Sequence, residues 1–145
     1  MPERETVERA REDAREGKSP STQAGEFVRE EMHHIREGKH GAASTKQAIA
    51  IGLSKARRAG VKLPAKGSAS TQKKAEQDAR ASQSRRKPSR TRSWATSNAL
   101  KREPRSAASR GSLSRQAKSS AVSRGKRARS VAAKKAAQTR TRRAA

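Results

Sequence analysis

Large apolar side chains are concentrated toward one end of this chain. Ten of them (Val7, Phe27, Val28, Met32, Ile35, Ile49, Ile51, Leu53, Val61 and Leu63) precede Pro64, and only Trp94, Leu100, Leu113, Val122 and Val131 follow residue 66. A fold needs buried apolar area to offset chain entropy. The first 66 residues can bury a small core, marginal for their size. Residues 67–145 cannot, and are expected to be disordered on their own. The sequence therefore predicts an all-α protein: a helical domain of about three helices over 1–66, then a long disordered Lys/Arg/Ser/Ala-rich tail over 67–145.

Charge divides the chain the same way. Residues 1–45 carry 8 Lys/Arg and 10 Asp/Glu, whereas residues 46–145 carry 29 Lys/Arg and only three acids, Glu76, Asp78 and Glu103. Such an excess repels itself and calls for a polyanion, of which nucleic acid is the commonest inside a cell. With no cysteine, disulfides and thiol chemistry are excluded. No apolar run approaches membrane-spanning length, and the charged start MPERETVERA is no secretory signal. These features lead us to expect a cytoplasmic, nucleoid-associated protein without a membrane partner.

Three helices read out of the first half. The first runs from about Pro2 to Glu16 and stops at Gly17, with Glu5 facing Arg9, Glu8 facing Arg11, and a thin stripe of Val7, Ala10 and Ala14. It is expected to pack loosely. The second starts at Ser19-Pro20-Ser21 and ends at Gly38; Ala24, Val28, Met32 and Ile35, with Phe27 beside them, form an amphipathic face. The third opens with Ser44-Thr45-Lys46-Gln47, a capping box, and closes at Gly60 before Pro64. Its expected buried stripe is Ala48, Ile49, Gly52, Leu53 and Ala56, and the missing side chain of Gly52 suits close helix approach. Lys55, Arg57, Arg58 and Lys62 make a basic patch that also complements the helix dipole.

Beyond Pro64 the chain is of low complexity. Of the 79 residues from Gly67 to Ala145, 23 are Lys/Arg, 20 Ser/Thr and 17 Ala. Two stretches, Thr71–Ser82 and Arg127–Gln138, are expected to become helical once their charge is neutralised, as phosphate binding would do.

The blocks STQAGEFVREE (21–31), REGKHG (36–41) and STKQAIAIGLSKARRAGVKLP (44–64) resemble a family of small, basic, largely uncharacterised bacterial proteins, some labelled DNA-binding. The resemblance spans about residues 1–64 and is specific over 21–64; Ala43 departs from a commonly basic position. The tail is similar in composition to the Ala/Lys-rich tails of bacterial histone H1-like proteins. These resemblances imply a bacterial source and a DNA-associated role, and bring no fold, substrate or catalytic residue.

Chemical motifs are few. His33, His34 and His40, with Glu30 and Glu31 nearby, are residues of metal-ligand type. Adjacent helical residues point about 100° apart, so His33 and His34 do not share an ion, and the order is not H-E-x-x-H. The histidines are read as a polar helix end, and no metal or other cofactor is assigned. No nucleophile elbow, P-loop or dinucleotide fingerprint is present, so enzyme activity is not expected. The second and third helices resemble a helix-turn-helix, but Ala and Ile follow Lys46 and Gln47 where base-reading side chains belong. Arg124-Gly-Lys-Arg127 and the run from Arg85 to Arg92 suit an A·T-rich minor groove or plain phosphate contact. Trp94, alone in a basic segment, suits either stacking on an unpaired base or anchoring onto the helical domain.

The expected function is sequence-independent DNA binding, with compaction or protection through phosphate neutralisation. The residues expected to meet phosphate are Lys46, Lys55, Arg57, Arg58 and Lys62; Arg85, Arg86, Lys87, Arg90 and Arg92; and Arg124, Lys126, Arg127, Arg129, Lys134, Lys135, Arg140, Arg142 and Arg143. RNA or ribosome association is the first alternative. The second is an adaptor whose helical domain, with exposed Glu faces, holds a protein partner or a second copy of the chain.

Overall fold

A computed structural model describes residues 2–84 and 89–144, apart from the side chains of Arg143 and Ala144. The described residues form six α-helices and a 3-10 turn. They are α1 (Arg4–Arg15), α2 (Pro20–Arg36), α3 (Thr45–Arg58), α4 (Ala69–Gln83), α5 (Arg90–Arg102), the turn Arg105–Ala108, and α6 (Arg110–Ala144). The chain is thus all-helical, but the expected disordered tail and the expected three helices are both overturned. The chain divides at Ser109, well past the boundary expected near residue 66. Met1–Ser109 forms one compact unit and Arg110–Ala145 a second.

The first unit is built on α2, which packs against α1, α3 and the 3-10 turn. Ala24, Phe27 and Ile35 are fully buried along α2, Met32 nearly so, and Val28 is half-buried. Phe27, Ala10 of α1, Ala24 and Ala56 of α3 make one apolar cluster, flanked by Val7, Leu53, Val61 and Leu63. α1 is held more firmly than its thin apolar stripe suggests. It buries Thr6, Ala10 and Asp13, leaves Ala14 exposed, and ties Arg9 to Glu5 and Glu26, each at 2.7 Å. The α3 cap forms as expected: Ser44 Oγ accepts the Gln47 N–H at 3.1 Å, while Gln47 Oε1 reaches back to the Ala43 N–H at 2.6 Å.

The α3 stripe is narrower than expected. Ala48, Gly52 and Ala56 are buried, whereas Ile49 and Leu53 are only half-buried. Small residues bury because the helices lie close together. A Cβ at Gly52 would sit 2.8 Å from Val28 Cα and 3.0 Å from the Val28 nitrogen. That neighbour is backbone, which cannot rotate aside. Gly52→Ala gains about 1 kcal/mol of helix propensity but overpacks the α2–α3 contact at about 1–3 kcal/mol. The expected result is a lower melting temperature by circular dichroism. An unchanged or higher one would show that α2 and α3 are not in such close contact.

Three elements extend this unit beyond Pro64. α4 docks on α3 through Ala75 and Asp78. Asp78, 2% exposed, accepts from Ser54 Oγ at 2.6 Å and Arg58 Nε at 3.0 Å, with Lys74 at 3.6 Å. One of only three acids beyond residue 45 is therefore an anchor. α5 buries no residue along its length, but its last turn and the segment after it meet the α2–α3 turn. There Gly41 N–H donates to Leu100 O, Ala42 N–H to Pro104 O, Thr45 Oγ1 to Ala107 O and Arg36 Nε to Ala108 O, over 2.6–3.1 Å. Ala107 and Ala108 are buried. Gly41 is required at this contact, because a Cβ there would collide with the Glu103 carbonyl.

The second unit needs no core. α6 is broken at Gly125 (φ 73, ψ 165) and has no apolar stripe. Its order is local: helical hydrogen bonds close within five residues, and Ala, Lys, Arg and Gln are strong helix formers. Ser123, Thr139 and Thr141 also return their hydroxyls to carbonyls four residues back. The expectation of disorder weighed missing apolar burial and charge repulsion, and gave too little weight to this local term.

Candidate functional site

The basic residues separate into two groups once placed on the helices. Lys46, Lys62, Arg90 and Arg92 are exposed in the first unit, as are Arg124, Lys126, Arg127, Arg129, Lys134, Lys135, Arg140 and Arg142 in the second. Arg124 to Arg127 fall at the Gly125 break. Arg85, Arg86 and Lys87, and the Arg143 side chain, lie outside the described residues. The α3 residues are largely committed inward. Arg58 is bound to Asp78 at 3.0 Å, Arg57 is half-buried with its Nε enclosed and without a hydrogen-bond partner, and Lys55 points into the helical unit.

α6 is the strongest candidate for contact with a polyanion. Residues 110–145 carry 12 Lys/Arg and no acid. Arg124 Nε and Arg129 Nε make long bonds of 3.4 Å to carbonyls one turn back. No carboxylate of its own unit neutralises any of these cations. The Gly125 break divides α6 into arms of about 22 Å and 28 Å, at 1.5 Å per residue. Each is shorter than one duplex turn of about 34 Å. A short arm can follow a groove or a phosphate ridge that curves away from a straight rod. Trp94 is 70% exposed on α5, so it does not anchor that helix and its ring is accessible.

A base-reading role for α3 loses support. The turn before it is covered, with Gly41 and Ala42 buried under the Leu100–Ala108 segment and Thr45 bonded to Ala107. Gln47 is spent on its cap.

Lys55 leads to a polar cluster that the sequence only hinted at. Glu30 and Glu31 are 4% and 0% exposed, so these two acids are turned inward, while Glu5, Glu8, Glu12, Glu16 and Glu37 remain exposed. Lys55 Nζ lies 2.6 Å from Glu31 Oε2 and 3.5 Å from Glu30 Oε1. Glu30 Oε2 accepts the Glu3 backbone N–H at 3.2 Å. His34 Nε2 meets Glu3 Oε1 at 2.9 Å, and Lys39 Nζ reaches the same oxygen at 3.3 Å. His34 first, and Lys39 with it, hold the Glu3 carboxyl below its ordinary range. His40 Nε2 stands 3.2 Å from Glu31 Oε1. His33, next to His34 in sequence, is exposed and takes no part. The i, i+4 relation of Glu30 to His34, with His40 one turn beyond the helix end, was the available signal; nothing in the sequence gave the third element, Lys55.

The fold is thus a helical unit with a buried acid–histidine–lysine cluster, joined in sequence to an acid-free basic helix. Residues 15–67 match the family of unknown function DUF6496. That span holds α2, α3 and every residue of the cluster except Glu3. No curated protein and no solved structure matches the chain. No helix among the described residues is long and apolar enough to cross a membrane.

Proposed function

We propose that the protein binds duplex DNA without sequence preference and acts stoichiometrically, as a nucleoid-associated, histone-like compaction or protection factor. The observation that carries this reading is α6: 12 Lys/Arg over residues 110–145 with no acid, exposed on nearly every side. Cations distributed round a helix suit contact with phosphates along a groove, and the Ala and Ser between them offer little for base edges. Binding is driven by release of condensed counterions as each Lys or Arg meets a phosphate.

The test is a salt titration of the full chain on duplex DNA, read through fluorescence of the single Trp94 or by filter retention. With about eight phosphates engaged at once, log K should fall against log[salt] with a slope of roughly −7. Unrelated duplexes should bind within a few-fold of one another. A slope near −2, or a hundredfold preference for one duplex, would refute this reading. Competition with structured RNA in the same assay decides the polymer; RNA binding 10-fold tighter would transfer the function to RNA.

A further inference from the structure

Glu31, His34 and His40 bring one ligand atom each to within 4.8 Å of one another. Proximity alone would carry little, but the hydrogen bonding at both rings adds an independent argument. His40 Nδ1 lies 3.0 Å from the Gly41 carbonyl. A carbonyl only accepts, so Nδ1 carries a proton, and Nε2 is the ring nitrogen left to take either a metal ion or a second proton. Nε2 faces Glu31 Oε1 at 3.2 Å. A cation shared by these two atoms, a metal ion or a proton, satisfies both in a buried site. Both Glu31 oxygens are fully enclosed; Oε2 is held by the Lys55 ammonium at 2.6 Å, and Oε1 faces the His40 ring without a hydrogen bond. His34 is fixed through its other nitrogen, with Nδ1 3.9 Å from Glu30 Oε1. Its Nε2 donates to the Glu3 carboxylate at 2.9 Å, which leaves Nδ1 as its acceptor nitrogen.

We propose that Glu31, His34 and His40 form a binding site for a divalent transition-metal ion, with zinc the best match. Two imidazoles and one carboxylate are a recurrent zinc donor set, leaving one position of a tetrahedron for water or another ligand. Tetrahedral bonds of about 2.1 Å place ligand atoms about 3.4 Å apart. The Glu31–His40 separation already fits, and His34, its side chain 12% exposed, offers the third ligand atom within 4.8 Å. The surrounding shell is of the kind that fixes metal ligands: one ring N–H on a backbone carbonyl, the other on a carboxylate. Lys55, at Glu31 Oε2, neutralises the oxygen that the metal does not use. Charge also fits, since Glu3, Glu30 and Glu31 outnumber Lys39 and Lys55 by one before an ion enters. The ion would tie α2 to the turn that carries Gly41 and Ala42, and so to the segment bonded to them.

The experiment uses the untagged full chain, stripped with chelator and titrated with Zn2+ by calorimetry. The expected result is one equivalent bound at micromolar affinity or tighter, with proton release and a rise in melting temperature of several degrees. His40→Ala and His34→Ala each weaken binding by more than about 100-fold, and His33→Ala changes it less than about twofold. Should a histidine variant fail to fold, the wild-type chain still decides the matter. Zn2+ should shift the 15N resonances of His40 Nε2 and His34 Nδ1 and leave His33 in place, and Co2+ should give the visible bands of a tetrahedral site. Absence of saturable binding, or binding that moves His33 instead, would overturn the proposal, leaving a proton on His40 as the cation beside Glu31. Neither outcome bears on DNA binding, which is assigned to other residues.

Discussion

Lys55→Met is expected to destabilise the helical unit by about 3–5 kcal/mol, a large part of the total stability of a domain this size. The reason is geometric. Lys55 Nζ is the cation that faces both buried carboxylates, 2.6 Å from Glu31 Oε2 and 3.5 Å from Glu30 Oε1. Methionine keeps the length and apolar stem but leaves two adjacent negative charges inside the unit. Denaturant unfolding followed by circular dichroism should show the midpoint drop, and Glu31→Gln in the same chain should recover part of it. A coupling of more than about 1 kcal/mol in that double-mutant cycle identifies the pair as the cause. Duplex affinity of the folded fraction should stay within about twofold, because the Lys55 ammonium is engaged by Glu31 and Glu30. A loss of DNA affinity without loss of stability would restore Lys55 to the phosphate-binding surface, where the sequence placed it.

Lys55 also shows why part of the site was hidden. In sequence it is one of four cations closing a helix, a pattern that usually marks a solvated C-terminal turn. Its partners lie some 25 residues away, and no local spacing reports them. Glu30 and Glu31 were hidden for the complementary reason: hydropathy places adjacent acids outside, and only the joint presence of Lys55, His34 and His40 makes their burial tolerable. What was legible was the local part. The stops at Gly17, Gly38 and Gly60, the Ser44–Gln47 cap and the close approach at Gly52 are each written within a few residues, and each appears in the fold.

The second half was misjudged through two kinds of contact that leave little trace in composition. α4 is held by one buried acid and one alanine, Asp78 and Ala75, in a segment otherwise polar. The Leu100–Ala108 segment is held by its own backbone carbonyls, captured by Gly41, Ala42, Thr45 and Arg36. Main-chain recognition imposes no side-chain pattern beyond small residues, and small residues are abundant throughout this region. Counting large apolar groups finds neither anchor.

Deleting residues 110–145 is expected to remove most DNA affinity while the remaining unit keeps its fold. The deletion takes away 12 Lys/Arg and no acid, so the net charge falls from +24 to +12. The loss in binding should exceed the loss in charge, because the remaining cations are unequally free. Arg9, Lys18, Lys39, Lys55 and Arg58 are each already paired with a carboxylate of the same unit. Each phosphate that is no longer neutralised flattens the salt dependence by about 0.9. The truncated chain should therefore bind at least about 100-fold more weakly at physiological salt, with a slope near −2 in place of −7. Its melting should change little, since the apolar cluster around Phe27 and the carboxylate–lysine cluster both lie before Ser109. The complementary peptide, residues 110–145, should reproduce the steep slope by itself. If the truncated chain instead binds duplex as tightly as the full protein, the contact surface lies on the first unit, among Lys46, Lys62, Arg90 and Arg92, and α6 is not the DNA-binding element.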